Sequence, residues 1–374
     1  MIRRLWNTLR DRQAIAHAFS LAVAVAFALG TGTRSVRAAD APPPRPDIEI
    51  NASTRAEVIE GVARLVETRY VFPEVANRIA SSLRSRAAKS RYGSLTSAAA
   101  LCESLTSELR AISKDRHLKV DYYVRARPMP KTGTDEAPTP EQQAARRADF
   151  AYENNGFRKV ERLPGNVGYL RLDRFVDPEL AGETARGAMS FLANTDAMII
   201  DLRKNGGGTP LMVALLASYL LEPEPVHLNS IYSRVDGQTK QIWSFAYLPG
   251  PRYTGRDVFV LTSAWTFSGA EEFAYDLKSL KRAVIVGERT RGGAHPGGIE
   301  QINEHFGIML PTARAINPVT NTNWEGVGVE PDLAAPADSA LVVAHRAALT
   351  KLIGKTKDPD RAEGYREALS LVGK

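Results

Sequence analysis

Ser268 is the residue whose sequence neighbourhood points most clearly to chemistry. It follows an apolar run at 258–261 that indicates a short buried strand, and it precedes a predicted helix at 273–278. At such a strand-to-helix turn a serine can expose its hydroxyl, and the free N–H groups of the helix N-terminus face developing negative charge. This placement suits a nucleophilic serine beside an oxyanion hole, whereas the plainer alternative is a serine that only caps the helix.

A serine nucleophile needs a general base, and the base needs a group that orients it. The histidines of the chain are His17, His117, His227, His295, His305 and His345. Apart from His17 near the N-terminus, three of these lie within predicted strands or helices. His117 and His295 lie just outside regular elements, where catalytic side chains are often carried. The alternative for either histidine is a surface or purely hydrogen-bonded role.

Three consecutive glycines, Gly206, Gly207 and Gly208, follow a predicted buried strand at 197–202. Glycine lets the backbone turn tightly and approach a ligand, so N–H groups of this turn could donate to an oxyanion. An ordinary loop is the alternative, and the known phosphate-binding glycine patterns are absent. No histidine, cysteine or acidic residues show metal-ligand spacing along the sequence, so we predict neither a metal nor a cofactor.

The net charge of +7 is concentrated at the N-terminus. Six arginines and one aspartate within residues 1–38 account for +5 of it, which leaves +2 for the rest. That balance gives no reason to expect nucleic acid or an anionic membrane as a partner.

Residues 1–38 also combine an arginine-bearing start, an apolar run at 18–29 and small residues before Ala39. This pattern predicts a signal peptide and an exported protein without a membrane span after cleavage, with an uncleaved anchor as the alternative.

The rest of the chain divides by composition and periodicity. We predict a proline-rich linker at 39–52, a small helical domain at 53–122, a flexible connection at 123–165, and a core with C-terminal helices at 166–374, which contains the candidate nucleophile Ser268. Thr54 and Glu57 have the spacing of a capping box at the first helix. Residues 128–149 are rich in proline, threonine, glutamine and charge, which is typical of a mobile loop. From Asn166 onward strands alternate with helices, which predicts an α/β fold.

Five segments, taken in order, resemble the carboxyl-terminal processing (tail-specific) serine peptidases, a family that includes the tricorn protease core. The match covers roughly residues 54–333. The segments are Tyr70–Glu74, Asp115–Leu118, Asp201–Gly208, Thr262–Glu272 and Gly326–Asp332. Each is a weak signal alone, but their common order is specific.

The resemblance also separates two catalytic branches of that family. In the tail-specific branch a lysine follows a Gly-Glu-x-Thr-x-Gly element, and Gly293 stands at that place here. The other branch is similar to tricorn and to the modules of interphotoreceptor retinoid-binding protein. It pairs the serine with a histidine from an Asp-x-His element, which His117 matches, and with a later glutamate, which Glu325 matches 57 positions after Ser268. The 45 residues between Val120 and Asn166 are too few for the PDZ domain of the tail-specific branch.

The resemblance implies a ClpP/crotonase-like spiral core behind a small all-α N-terminal domain. It implies an endopeptidase acting on peptides or unfolded proteins, with Ser268 as nucleophile, His117 as base and Glu325 as the orienting acid. Backbone N–H groups of Gly269 and of Gly207 or Gly208 would bind the oxyanion, and His295 would line the cleft. The alternatives are a non-proteolytic protein that binds a lipid-like or retinoid-like ligand, and an acyl hydrolase on the same core.

Overall fold

A computed structural model describes residues 45–129 and 139–373. The predicted signal peptide and most of the predicted linker lie outside these ranges. Residues from Pro46 onward belong to one compact unit. Within the described ranges, no helix combines the length and apolar character that crossing a membrane requires.

The helices and strands of the described residues follow the chain in this order. The helices are α1 (Ala52–Arg69), α2 (Pro73–Ala88), α3 (Ala98–Ser113), α4 (Pro140–Tyr152), α5 (Pro178–Leu192), α6 (Pro210–Leu220), α7 (Gly269–Ser279), α8 (Ala340–Lys355) and α9 (Pro359–Leu371). The strands are β1 (Lys119–Tyr122), β2 (Phe157–Leu163), β3 (Val167–Leu172), β4 (Ala197–Asp201), β5 (His227–Ser233), β6 (Thr239–Trp243), β7 (Asp257–Thr262), β8 (Val284–Gly287), β9 (Gly297–Asn303), β10 (Phe306–Pro311), β11 (Ala313–Ile316) and β12 (Leu333–Ala334).

A six-stranded sheet forms the centre of the fold, in the order β12-β8-β7-β4-β3-β2. All neighbouring strands are parallel except β2, which pairs antiparallel with β3 at one edge. Helices α5, α6 and α7 pack on one face, and α8 and α9 pack on the other. Because both faces are covered, every residue of β4 is buried. The predicted α/β fold class is confirmed.

The N-terminal helices pack against strands that come from the other half of the sequence. Helices α1 to α3 share one apolar core with the antiparallel sheet β1-β10-β9. Leu101 of α3 and Ile308 of β10 are both fully buried in this core. Consequently the short segment between α3 and β1, which carries His117, is held against the half of the chain that carries Ser268.

Helix α1 and the segment at 128–149 differ from the sequence prediction. Helix α1 begins three residues earlier than the predicted capping box, because Asn51 Oδ1 accepts the N–H of Thr54 at 2.8 Å. The described part of the predicted loop at 128–149 is mostly helix α4, which starts with its own capping box. There Thr139 Oγ1 accepts from Gln142 N at 3.3 Å, and Gln142 Oε1 accepts from Thr139 N at 3.0 Å.

Candidate active site

Ser268 lies in the turn between β7 and α7, as the sequence predicts. Its backbone has φ +55° and ψ −124°, a conformation that costs a non-glycine residue roughly 1–3 kcal/mol. Its N–H donates to Glu271 Oε2 at 2.9 Å, so that N–H group is not free to bind an oxyanion.

Glu271 ties this turn to the segment that follows β8. Its Oε1 accepts from Thr290 Oγ1 at 2.6 Å and from Gly292 N at 2.5 Å, and its Oε2 also accepts from Gly293 N at 2.9 Å. Burial raises the pKa of this carboxyl to about 7, while these hydrogen bonds and that from Ser268 N–H oppose the rise. Glu271 therefore fixes Ser268 and the 290–293 segment relative to each other.

The glycine turn after β4 approaches Ser268 closely. A Cβ added to Gly207 would lie 2.8 Å from the Cβ of Ser268, and one added to Gly269 would lie 3.2 Å from Gly208 N. Gly207 N–H already donates to Asn205 Oδ1 at 2.8 Å. Within residues 45–129 and 139–373, the N–H groups of Gly208 and Gly269 donate to no protein acceptor. Of the predicted oxyanion donors, these two remain available.

His117 lies between α3 and β1 and is 8% exposed. Its ring packs on Phe267, with the ring centroids 4.4 Å apart. Its backbone N–H donates to Asp115 Oδ1 at 2.9 Å, whereas its Nδ1 lies 4.0 Å from that same oxygen. Burial lowers the pKa of His117 to about 4, so the imidazole is neutral at pH 7.

His295 and two carboxylates complete a buried group beside His117. His295 Nδ1 lies 2.7 Å from Asp115 Oδ2 and 3.4 Å from Glu325 Oε2. Glu325 Oε2 also accepts from Ala294 N at 2.6 Å. Burial and the nearby Asp115 raise the pKa of Glu325. The structure thus brings Glu325 into this group, but its carboxylate contacts His295 and makes no hydrogen bond to His117.

His117 and Ser268 line the same cavity, which has a volume of about 480 Å³. Gly207, Gly208 and Phe267 also contribute to its wall. The predicted nucleophile, the predicted base and the predicted oxyanion glycines Gly207 and Gly208 therefore line one cavity, although Ser268 and His117 are 151 positions apart in the sequence.

Three residues of this region were not among the predicted site residues. Asp115 could have been identified from the sequence, because it is the acid of the Asp-x-His element. Glu271 could also have been identified, because it stands three positions after Ser268, the spacing of a capping box. Tyr70, whose hydroxyl donates to Asp115 Oδ2 at 3.1 Å, had no chemical signal beyond its place in a matching segment.

Curated relatives match part of this chain. Carboxyl-terminal-processing peptidase 2 (chloroplastic) of Arabidopsis thaliana is 28% identical over 185 residues, covering 46% of this chain and 33% of that protein. The carboxyl-terminal-processing protease of Synechocystis is 30% identical over 205 residues, covering 51% of this chain and 45% of that protein. The matches thus span between a third and a half of the length of these relatives.

One solved structure, a candidate peptidase from Parabacteroides merdae, shares the fold. The TM-score is 0.51 at 18% identity, and the match covers 82% of this chain and 98% of that one.

Family models account for most of the chain. The model described as peptidase family S41 matches residues 166–335. The model described as the N-terminal domain of peptidase S41 in eukaryotic IRBP matches residues 50–152. Together they cover more than half of the sequence and agree with the arrangement of helices and sheets. The chain belongs to peptidase family S41.

Proposed function

We propose that this protein is an exported serine endopeptidase that cleaves peptides or unfolded proteins through an acyl-enzyme on Ser268. The observation that carries the proposal is the cavity that Ser268 and His117 share with Gly208. The N–H groups of Gly208 and of Gly269, the residue after Ser268, donate to no acceptor among the described residues. An acyl-transfer site needs a nucleophile, a base and oxyanion donors at one place.

His117 acts as the general base. Its lowered pKa leaves it neutral at pH 7, as a proton acceptor must be. Its Nδ1 is buried toward Asp115, so Nε2 is the nitrogen left to take the proton of Ser268. After the attack, Nε2 returns that proton to the leaving amine, and water then releases the acyl group.

Glu325 orients His117 and stabilises its charged form. Its Oε1 is buried without a partner among the described residues, and acceptor atoms of Asp115 and Glu325 lie within 4.8 Å of a ring nitrogen of His117. A small rotation would let Oε1 accept the Nδ1–H that His117 carries as the neutral base and keeps when Nε2 is protonated. Asp115 acts as a positioning residue, because it holds the backbone of His117 and the ring of His295.

The N–H groups of Gly208 and Gly269 bind the oxyanion of the tetrahedral intermediate. A Cβ added to Gly208 would lie 2.0 Å from the carbonyl oxygen of Phe175, and one added to Gly269 would lie 3.1 Å from the carbonyl oxygen of Gly208. Removing one oxyanion donor typically costs about 10²–10³ in rate, so these two groups supply a large share of the catalysis.

A second, smaller pocket of about 50 Å³ adjoins Ser268. Glu272, Asn229 and Trp324 contribute to its wall. We place the substrate side chain that precedes the scissile bond here, and the volume suits a small residue.

A fluorophosphonate probe tests the nucleophile directly, because such probes phosphonylate only activated serines. We expect mass spectrometry of the labelled protein to place the adduct on Ser268. Ser268→Ala should remove the adduct and His117→Ala should slow its formation, while Ser279→Ala at the end of α7 should label like the wild type. A folded wild-type protein that does not label at Ser268 would contradict the proposal and favour the ligand-binding alternative.

A further inference from the structure

Asp115, His117, His295 and Glu325 form a buried cluster with the composition of a transition-metal site. They come from three separate parts of the chain, at 115–117, 295 and 325. One ligand atom each from Asp115, His117 and Glu325 lies within 4.8 Å of the other two. His295 Nδ1 lies 2.7 Å from Asp115 Oδ2 and 3.4 Å from Glu325 Oε2, so it borders the same space.

Two atoms of this cluster are buried without a hydrogen-bond partner among the described residues. They are His117 Nδ1 and Glu325 Oε1. Buried polar atoms of native proteins nearly always have a partner, so each such atom needs an explanation. His117 is 8% exposed, and its Nδ1 faces the carboxylate of Asp115 at 4.0 Å without bonding to it. A nitrogen and an oxygen that both lack partners beside a carboxylate are what an absent cation would satisfy.

The donor set favours Zn²⁺ over the hard cations. Imidazole nitrogen with carboxylate oxygen is a common zinc ligand combination, whereas Mg²⁺ and Ca²⁺ take oxygen ligands. Zinc binds such ligands at about 2.0–2.2 Å, which places tetrahedral ligand atoms roughly 3.4 Å apart. His117 Nδ1 lies 4.0 Å from Asp115 Oδ1, and His295 Nδ1 lies 3.4 Å from Glu325 Oε2, which is close to that spacing. His295 Nδ1 lies only 2.7 Å from Asp115 Oδ2, so ligation by His295 requires that this hydrogen bond opens.

We propose that His117, Asp115 and Glu325, with His295 as a fourth ligand, bind Zn²⁺ and that the bound ion inhibits the peptidase. The cavity lined by His117 and Ser268 is the entry path. Zinc on Nδ1 leaves the single proton of the neutral imidazole on Nε2. That nitrogen then has no lone pair for the proton of Ser268, so the base is blocked without moving.

The inhibitory part of this inference rests on the proposed function, but zinc binding itself does not. We would strip the full chain with EDTA, dialyse it against ZnCl₂, and measure bound metal by atomic emission. We expect one Zn²⁺ per chain, retained in excess MgCl₂. Loss of an outer-shell partner alone lowers metal affinity about 10–100-fold, so His117→Gln and Glu325→Gln should weaken binding at least as much. His227→Gln, whose ring stacks on Trp243 outside the cluster, should bind like the wild type.

Co²⁺ provides a second readout that does not depend on activity. The wild type loaded with CoCl₂ should show the visible d–d absorption of a four-coordinate ion, and Glu325→Gln should lose it while its circular dichroism and thermal melting remain native. Zinc binding with loss of peptide hydrolysis, restored by EDTA, is the expected result. Zinc binding to a protein that cleaves nothing even after EDTA would leave the metal site standing and overturn the proposed function. No bound zinc in the folded wild type, or equal binding by both cluster variants, would overturn the metal site.

Discussion

A side chain at position 293 and the imidazole of His117 exclude each other. A Cβ added to Gly293 would lie 2.8 Å from Cε1 of His117 and would also clash with the ring of Phe267. Position 293 is where the resemblance places the lysine of the Ser–Lys branch. The structure therefore gives a steric reason why a chain that carries His117 in this pocket has glycine there.

Gly293→Ala should lower kcat strongly, because the new methyl group displaces the base or Phe267. We expect a loss of about tenfold or more, since small misplacements of catalytic groups cost up to about 10²-fold. Gly298→Ala in β9 is the matched control, because an added Cβ there meets nothing within 4 Å. Steady-state kinetics on one peptide would compare the two. Equal activity of Gly293→Ala and wild type would contradict the steric exclusion between a side chain at position 293 and His117.

The two buried histidines of the site, His117 and His295, should differ in their contribution to catalysis. His117 lines the cavity with Ser268, whereas His295 Nδ1 is engaged by Asp115. His117→Ala should lower kcat about 10²–10⁴-fold, the usual contribution of a general base. His295→Ala should lose no more than that and should act mainly through the position of Asp115. If His295→Ala lowered kcat more than His117→Ala in paired assays, His295 would be the general base and His117 the positioning residue.

The pH profile of kcat/KM should report the low pKa of His117. Burial lowers that pKa to about 4, and only the neutral imidazole accepts the serine proton. Activity should therefore rise with pH through about 4 and be level by about pH 6, whereas an unperturbed histidine titrates near about 6.5. An acidic limb centred at or above the unperturbed value would contradict the assignment of the base.

Glu271 should matter for stability through the contacts of its carboxylate. Glu271→Gln would replace one acceptor oxygen by an amide N–H₂ that faces backbone N–H groups, including that of Ser268. Leaving buried donors unsatisfied costs about 1–3 kcal/mol, so the free energy of unfolding should fall by that amount. Urea denaturation would measure it, with Glu363→Gln on the exposed face of α9 as the control. A loss no greater than the control's would mean that the turn does not depend on this carboxylate.

Strands and helices with a clear pattern of apolar residues were predicted well from the sequence. The buried strand predicted at 197–202 corresponds to β4, and the strand predicted from the apolar run at 258–261 corresponds to β7. Strand β9 was not predicted, because it begins with Gly297 and Gly298 and lacks clear alternation. Its conformation comes from pairing with β10, a tertiary contact that a short window of sequence does not contain.

In the site, too, residues could be predicted from their sequence neighbours, but contacts between distant parts of the chain could not. Ser268 could be singled out from its own turn, and His117 from the family resemblance. The pairing of His295 with Asp115 joins residues 180 positions apart, so no spacing along the chain could reveal it. The proposed metal ligands are spread over positions 115 to 325 in the same way, whereas sequence reasoning looks for ligands that lie close together along the chain.

Digestion of a peptide mixture from an unfolded protein tests the central claim most directly. Wild type, freed of metal with EDTA, and Ser268→Ala would be incubated in parallel, and the new termini would be read by mass spectrometry. We predict that only the wild type produces new termini and that it cleaves after small residues. The Ser268→Ala variant should keep its fold and cleave no peptide. Equal cleavage by both proteins would contradict the role of Ser268, and no cleavage by a folded wild type would contradict the peptidase assignment.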